Sequence, residues 1–196
     1  MSHDLMALPE LPVPEDDGAA DHLPGMPVPS VALPATDGRT LTLDVSAGAD
    51  RLVVYAYPRT GRPGEPSLTE DWDAIPGARG CTPESCGFRD HAAELAAAGA
   101  AVLGLSTQDT GYQQEMVTRL RLPFPVLSDA TLALTRAMRL PTFTVAGHEL
   151  LRRLTLVLRG GVVEHVFYPV FPPDTHVEQV LDWLREHPVA TGVTTD

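Results

Sequence analysis

The strongest constraint on how this chain can fold is its alternation of short apolar runs with helix-patterned stretches. Leu52–Tyr57 (LVVYAY) is a continuous apolar run of strand length, the pattern of a strand buried on both faces. Ala101–Ser106 (AVLGLS) and Phe124–Leu127 read as two further strands, and Leu154–Leu158, a Gly160-Gly161 turn and Val162–Tyr168 as a closing hairpin. Between them the pattern predicts helices from Thr82 to Gly99, over Gly111–Arg121, over Ala130–Met138 and over His176–Glu186, the last capped by Asp174. Ser30–Pro34, a turn at Asp37-Gly38 and Thr40–Val45 predict an N-terminal hairpin. Strands that alternate with helices imply an α/β layer fold, and the closing hairpin makes its central sheet mixed.

A chain of 196 residues suggests one domain, and 43% hydrophobic residues are enough for a core. No apolar run approaches the ~18 residues that cross a membrane. The first residues, MSHDLMALPELPVPEDDG, have neither the basic start nor the apolar stretch of a secretory signal, so the expectation is a cytoplasmic protein. The formal net charge of -12 argues against nucleic acid as a partner, because phosphate binding needs a basic patch. Residues 1–24 hold Asp4, Glu10, Glu15, Asp16, Asp17 and Asp21 with no Arg, which predicts a flexible, solvated acidic arm. The domain is expected over 25–187, followed by a polar tail, 188–196.

The two cysteines, Cys81 and Cys86, narrow the function. Two thiols are too few for a structural zinc site, and the His residues show no ligand-like spacing, so no metal is expected. A disulfide closing so short a loop removes little chain entropy. Cys81 follows a strand that ends at Tyr57-Pro58 and a Gly/Pro-rich loop over 59–80, a length usually reserved for function. It precedes a helix start, with Thr82 expected as N-cap, Pro83 at the first helical position and Glu84 in the first turn. A thiol there sees the positive end of the helix dipole, which favours the thiolate and predicts a lowered pKa. The competing reading, a buried small hydrophobe, is stronger for Cys86 than for Cys81.

The stretch GCTPESCGFRD (Gly80–Asp90) resembles the active-site helix of the peroxiredoxins, in their bacterioferritin-comigratory or Q-type branch. PSVALPATDGRTLTL (Pro29–Leu43), YAYP (Tyr55–Pro58), VLGLST (Val102–Thr107), FPVLSD (Phe124–Asp129), RRLTLVL with Arg153, VVEHVF and VLDWLRE match other segments of the family in order. The resemblance implies a thioredoxin-like fold with an extra N-terminal hairpin, which the element pattern alone would not select over other α/β folds. It also implies a thiol-dependent peroxidase. Cys81 would attack the peroxide, Cys86 would resolve the sulfenic acid as an intramolecular disulfide, and thioredoxin or a similar dithiol would reduce it. No cofactor, metal or membrane is implied, and the chain would act as a monomer or weak dimer. Arg153 would face the thiolate, with adjacent Arg152 able to do the same work. Pro58 would belong to the substrate pocket. The family's pocket threonine, three residues before the reactive cysteine, is replaced by Ala78, so Thr60 is expected to supply that hydroxyl, with Thr82 as the other choice. The loop over 61–77 is expected to fold over the site mouth. A thiol–disulfide oxidoreductase would show C-x-x-C, which is absent; a slow redox sensor would share the thiols. A cysteine hydrolase would need a positioned His, and His91 falls within the predicted helix.

Overall fold

A computed structural model describes residues 10–44 and 48–189. At its centre lie β3 (Arg51–Ala56), β4 (Ala100–Ser106), β5 (Val126–Ser128), β8 (Leu154–Arg159) and β9 (Val162–Phe167), in the spatial order β5-β4-β3-β8-β9. β3, β4 and β5 run parallel while β8 and β9 are antiparallel, so the sheet is mixed. Every residue of β3 is buried, which explains its unbroken apolar run: alternate side chains enter two different cores. Val53, Tyr55 and Tyr57 meet α1 (Cys81–Asp90), α2 (Ala92–Ala97), α3 (Thr110–Leu120) and α5 (His176–Glu186). Leu52, Val54 and Ala56 meet the N-terminal segment and α4 (Ala133–Met138) on the opposite face.

Several boundaries differ from the sequence reading, for local reasons. The N-terminal hairpin is only β1 (Leu33–Pro34) with β2 (Thr40–Leu41); Pro34 has no N–H to extend the ladder. The chain then turns to the sheet edge, where Thr36 N–H donates to Val126 O at 3.0 Å. Val45, expected in that hairpin, lies outside the described residues. The helix expected from Thr82 to Gly99 breaks at His91, whose ring nitrogen lies 3.0 Å from the carbonyl of Gly87. α3 starts at Thr110 because the Asp109 carboxylate accepts from Tyr112 N–H at 2.8 Å. α5 is found over the expected residues, but Thr175, not Asp174, occupies the N-cap.

Two larger differences frame the site. Residues 10–24, expected to be part of a solvated arm, pack on the body. Leu23 is fully buried in the core, the ring of His22 meets Met138 O at 2.9 Å and Tyr168 O–H donates to Asp17 at 2.7 Å. A second hairpin, β6 (Thr142–Val145) with β7 (His148–Leu151), was not foreseen. It packs Leu150 against Trp72 and Ala78 and so anchors the long loop, whose one helical piece is a 3₁₀ turn at Trp72–Ala74.

Candidate active site

Cys81 is the first residue of α1. Gly80 holds the N-cap with φ 109, a left-handed value that a glycine adopts without strain. The expected cap, Thr82, is therefore one residue inside the helix. The loop ends in this sharp turn, and the turn delivers the sulfur to the helix N-terminus, where backbone N–H groups lack helical partners. Phe88 fixes the helix on the sheet by stacking on Tyr55, with ring centroids 4.5 Å apart. Gly87 lets α1 approach the start of α5; a Cβ there would sit 3.3 Å from Asp174 O and Val177.

Arg153 enters from the residue before β8 and is 2% exposed. Its Nη1 pairs with the buried carboxylate of Glu84. Its Nη2 donates to Cys81 Sγ at 3.1 Å and to the carbonyls of Gly77, Ala78 and Arg79 at 3.2, 3.3 and 3.1 Å. Arg152, the other choice for this place, instead donates to Thr142 O at 3.3 Å. The thiol of Cys81 donates to Ala78 O at 3.6 Å.

Burial pushes the Cys81 thiol above its ordinary value; Arg153 and the Arg59 N–H pull it down, and Glu84 pushes it up. The lowered pKa expected from the helix position is thus corrected: the cationic and N–H influences are in place, but they offset burial of the sulfur only in part. Burial likewise raises the Glu84 carboxyl to about 7, against the pull of Arg153. Burial works against the Arg153 charge, yet Cys81 and Glu84 hold it protonated. Cys86 is also raised, by burial first, with Arg89 opposing.

A cleft of about 50 Å³ opens on Cys81, walled by Arg59, Thr60, Thr82, Leu68, Trp72 and Tyr112 among others. One water needs roughly 10–15 Å³, so the cleft admits a small polar molecule. The long loop does reach the mouth through Leu68 and Trp72. Pro58, expected in the pocket, is buried and is not among its walls. Thr60 is on the wall, but its hydroxyl donates to Gln108 Oε1 at 3.2 Å. Ala78 is buried against Trp72 and Leu150 and does not line the cleft. Cys86 is 6% exposed and lies in the same helix as Cys81; both thiols are free. Sequence reasoning missed Gln108 and the main-chain contribution of Arg59, which no residue pattern announces. It took Glu84 only as a complement to the helix N-terminus.

A mixed sheet flanked by helices, with a buried thiol at a helix N-terminus facing an arginine, defines a thioredoxin-fold thiol oxidoreductase. The Redoxin family model matches residues 23–182. Chloroplastic peroxiredoxin Q of Populus jackii is 32% identical over 82% of this chain and 67% of its own length. Peroxiredoxin Bcp of Escherichia coli (strain K12) is 30% identical over 81% of this chain and 93% of its own. Among solved structures, peroxidoxin BcpB of Mycobacterium tuberculosis superposes with a TM-score of 0.66 at 27% identity, covering 84% of this chain and 98% of that one. Peroxiredoxin Q of Xanthomonas campestris does so with 0.63 at 26%, covering 93% and 100%. The chain belongs to the peroxiredoxins, in their Q-type, bacterioferritin-comigratory branch.

Proposed function

We propose that this chain is a thiol-dependent peroxidase in which Cys81 reduces hydrogen peroxide and organic hydroperoxides. The observation that carries the reading is the Arg153 Nη2–Cys81 Sγ contact of 3.1 Å beside a cleft that Cys81 lines. The thiolate of Cys81 attacks one peroxide oxygen and the O–O bond breaks. The other oxygen leaves with a proton as water or alcohol, and the sulfur is left as a sulfenic acid. Arg153 and the helix N-terminus stabilise the thiolate and the charge growing on the leaving oxygen. Cys86 then attacks the sulfenic sulfur, an S–S bond forms and water leaves; thioredoxin or a similar dithiol supplies two electrons to restore both thiols. For the Xanthomonas campestris bacterioferritin comigratory protein an alkyl peroxide reduction activity is named.

The disulfide requires α1 to unwind. Positions five apart in a regular helix have Cα atoms roughly 8.6 Å apart, beyond the ~6.8 Å a disulfide usually allows. Cys81 is at the helix end and Gly87 follows Cys86, which makes local melting cheap. Both cysteines sit on one helix, so the cycle needs no second chain, in keeping with a monomer or weak dimer. Described residues contain no helix long and apolar enough to cross a membrane. The reducing cytoplasm is the compartment that keeps such thiols free.

Peroxide consumption with thioredoxin as donor tests the reading, alongside insulin disulfide reduction. Cys81→Ser abolishes peroxide turnover, and Cys86→Ser allows one reaction to the sulfenic acid. Normal turnover in Cys81→Ser, or insulin reduction without peroxide consumption, refutes it.

A further inference from the structure

The main chain that walls the cleft beside Cys81 is held in place by a residue outside the cleft. Gln108 follows β4, is 5% exposed and is not among the cleft walls. Its Oε1 accepts from Thr60 N–H at 3.0 Å and its Nε2 donates to Thr60 O at 3.2 Å. One side-chain amide therefore satisfies both main-chain groups of Thr60, as a neighbouring strand would. The same oxygen takes the Thr60 hydroxyl at 3.2 Å.

Gln108 is itself fixed by the strand ends. Its N–H donates to Ser106 Oγ at 3.2 Å, and its carbonyl accepts from Ser128 Oγ at 2.7 Å. Gln113 Nε2 ties Ser106 Oγ, at 2.9 Å, to Leu127 O, at 2.9 Å. These residues are all buried, so the bonds form in a low dielectric where a lost partner is costly.

In this chain the long loop separates Pro58 from the helix that carries Cys81, so the loop entry needs its own anchor. Arg59 lies between buried Pro58 and clamped Thr60, both Arg59 and Thr60 wall the cleft beside Cys81, and the Arg59 main-chain N–H is among the influences that pull the thiol down. We propose that Gln108 is a positioning residue for the peroxidase reaction: by clamping the Thr60 peptide it aims the Arg59 N–H at Cys81. The inference rests on the peroxidase reading for its kinetic consequence, but not for its effect on the thiolate.

The test uses the full chain carrying Cys86→Ser, so that one thiol titrates. Thiolate ultraviolet absorbance gives the Cys81 pKa, and single-turnover reaction with hydrogen peroxide gives the rate. Gln108→Leu raises the Cys81 pKa and slows the reaction about tenfold to hundredfold, as expected for a lost hydrogen bond to a charged group. Gln108→Glu supplies a signature that packing alone does not. A protonated carboxyl can donate to Thr60 O and accept from its N–H, whereas a carboxylate has no donor. The rate of Gln108→Glu relative to wild type therefore recovers as pH falls through the titration of the new carboxyl. A folded Gln108→Leu with unchanged Cys81 titration overturns the proposal; should that variant not fold, a pH-independent ratio for Gln108→Glu overturns it. If the parent protein consumes no peroxide, the peroxidase reading fails, while the thiolate titrations still decide the clamp.

Discussion

Two of the buried arginines, Arg51 and Arg153, stand toward opposite ends of the central sheet, and they are bonded in opposite ways. Arg51, at the start of β3, gives Nε and Nη2 to the two oxygens of Glu164 at 2.6 and 2.8 Å and Nη1 to His187 O at 2.5 Å. Its guanidinium also lies 5.0 Å over the Trp183 ring. Every nitrogen has a fixed partner, and that carboxylate is held below its ordinary value, first by its bonds to Arg51. Arg153 instead spreads one amino group over three carbonyls and a sulfur, while its Nε and Glu84 Oε1 have no partner among the described residues. Two N–H bonds cannot serve four acceptors fully. The donor is free to shift toward whichever acceptor gains charge, and Cys81 is the one that ionises. A saturated arginine is a strut; an over-shared one is a reserve of positive charge.

Arg51→Ala tests the strut. Glu164 is partly exposed, so the loss is that of hydrogen bonds to a charged group, about 1.5–3 kcal/mol, which chemical denaturation would read. The Cys81 titration and the peroxide rate of the folded variant should stay at wild-type values. A displaced titration would show that the two ends of the sheet are coupled and break the contrast.

Arg153→Gln tests the reserve. The expected loss is on the order of 10²–10³ in single-turnover peroxide rate, with the Cys81 pKa moving further up. Arg152→Ala, one residue away but turned toward Thr142, should leave both unchanged. The reverse pattern would mean that the sulfur is served by the other arginine.

Glu84 sharpens the contrast through pH. Its carboxyl is raised from 4.5 to about 7, so between those values the folded protein binds more proton than the unfolded chain. The stabilisation present below about 4.5 is therefore lost as pH rises toward 7. His176 runs the other way: burial lowers it to about 4, so its contribution grows from pH 4 toward 6.5. The two overlap, and only a difference isolates Glu84. Stability of Glu84→Gln minus wild type should rise from pH 5 to pH 7, between the ordinary carboxyl value of 4.5 and the raised value of about 7. A flat difference would mean that Arg153 keeps Glu84 ionised throughout.

The contrast was half legible in the sequence. The strand-ending YAYP, GCTPESCGFRD and the RR pair placed Cys81, Cys86 and Arg153 because those segments are local and collinear. The order of the central elements followed from apolar periodicity, a short-range signal. Arg51 was invisible: a charge at the end of an apolar run reads as a boundary, and its partner Glu164 lies far along the chain. The docking of 10–24 was hidden for a related reason, since its core anchors are only Ala20 and Leu23 in an otherwise acidic, proline-rich segment. Gln108 carried no signal, because its work is done on another residue's backbone.

The smallest effects concern which hydroxyl the cleft presents. Thr60 and Thr82 both line it, yet their protons differ in availability. Thr60 donates to Gln108, so toward the cleft it can only accept. Thr82 is 4% exposed and free of the capping duty expected of it, because Gly80 is the N-cap. Its hydroxyl can both donate and accept next to the reacting sulfur. Thr82→Val should therefore slow hydrogen peroxide reduction by about twofold to tenfold, the worth of one neutral hydrogen bond. Thr60→Val should do less, since Gln108 still holds the Thr60 main chain through N–H and C=O. Rates measured at one pH, with the Cys81 titration checked in each variant, separate a lost substrate contact from a changed thiolate fraction. A larger loss in Thr60→Val than in Thr82→Val, at equal Cys81 pKa, would return the pocket hydroxyl to Thr60.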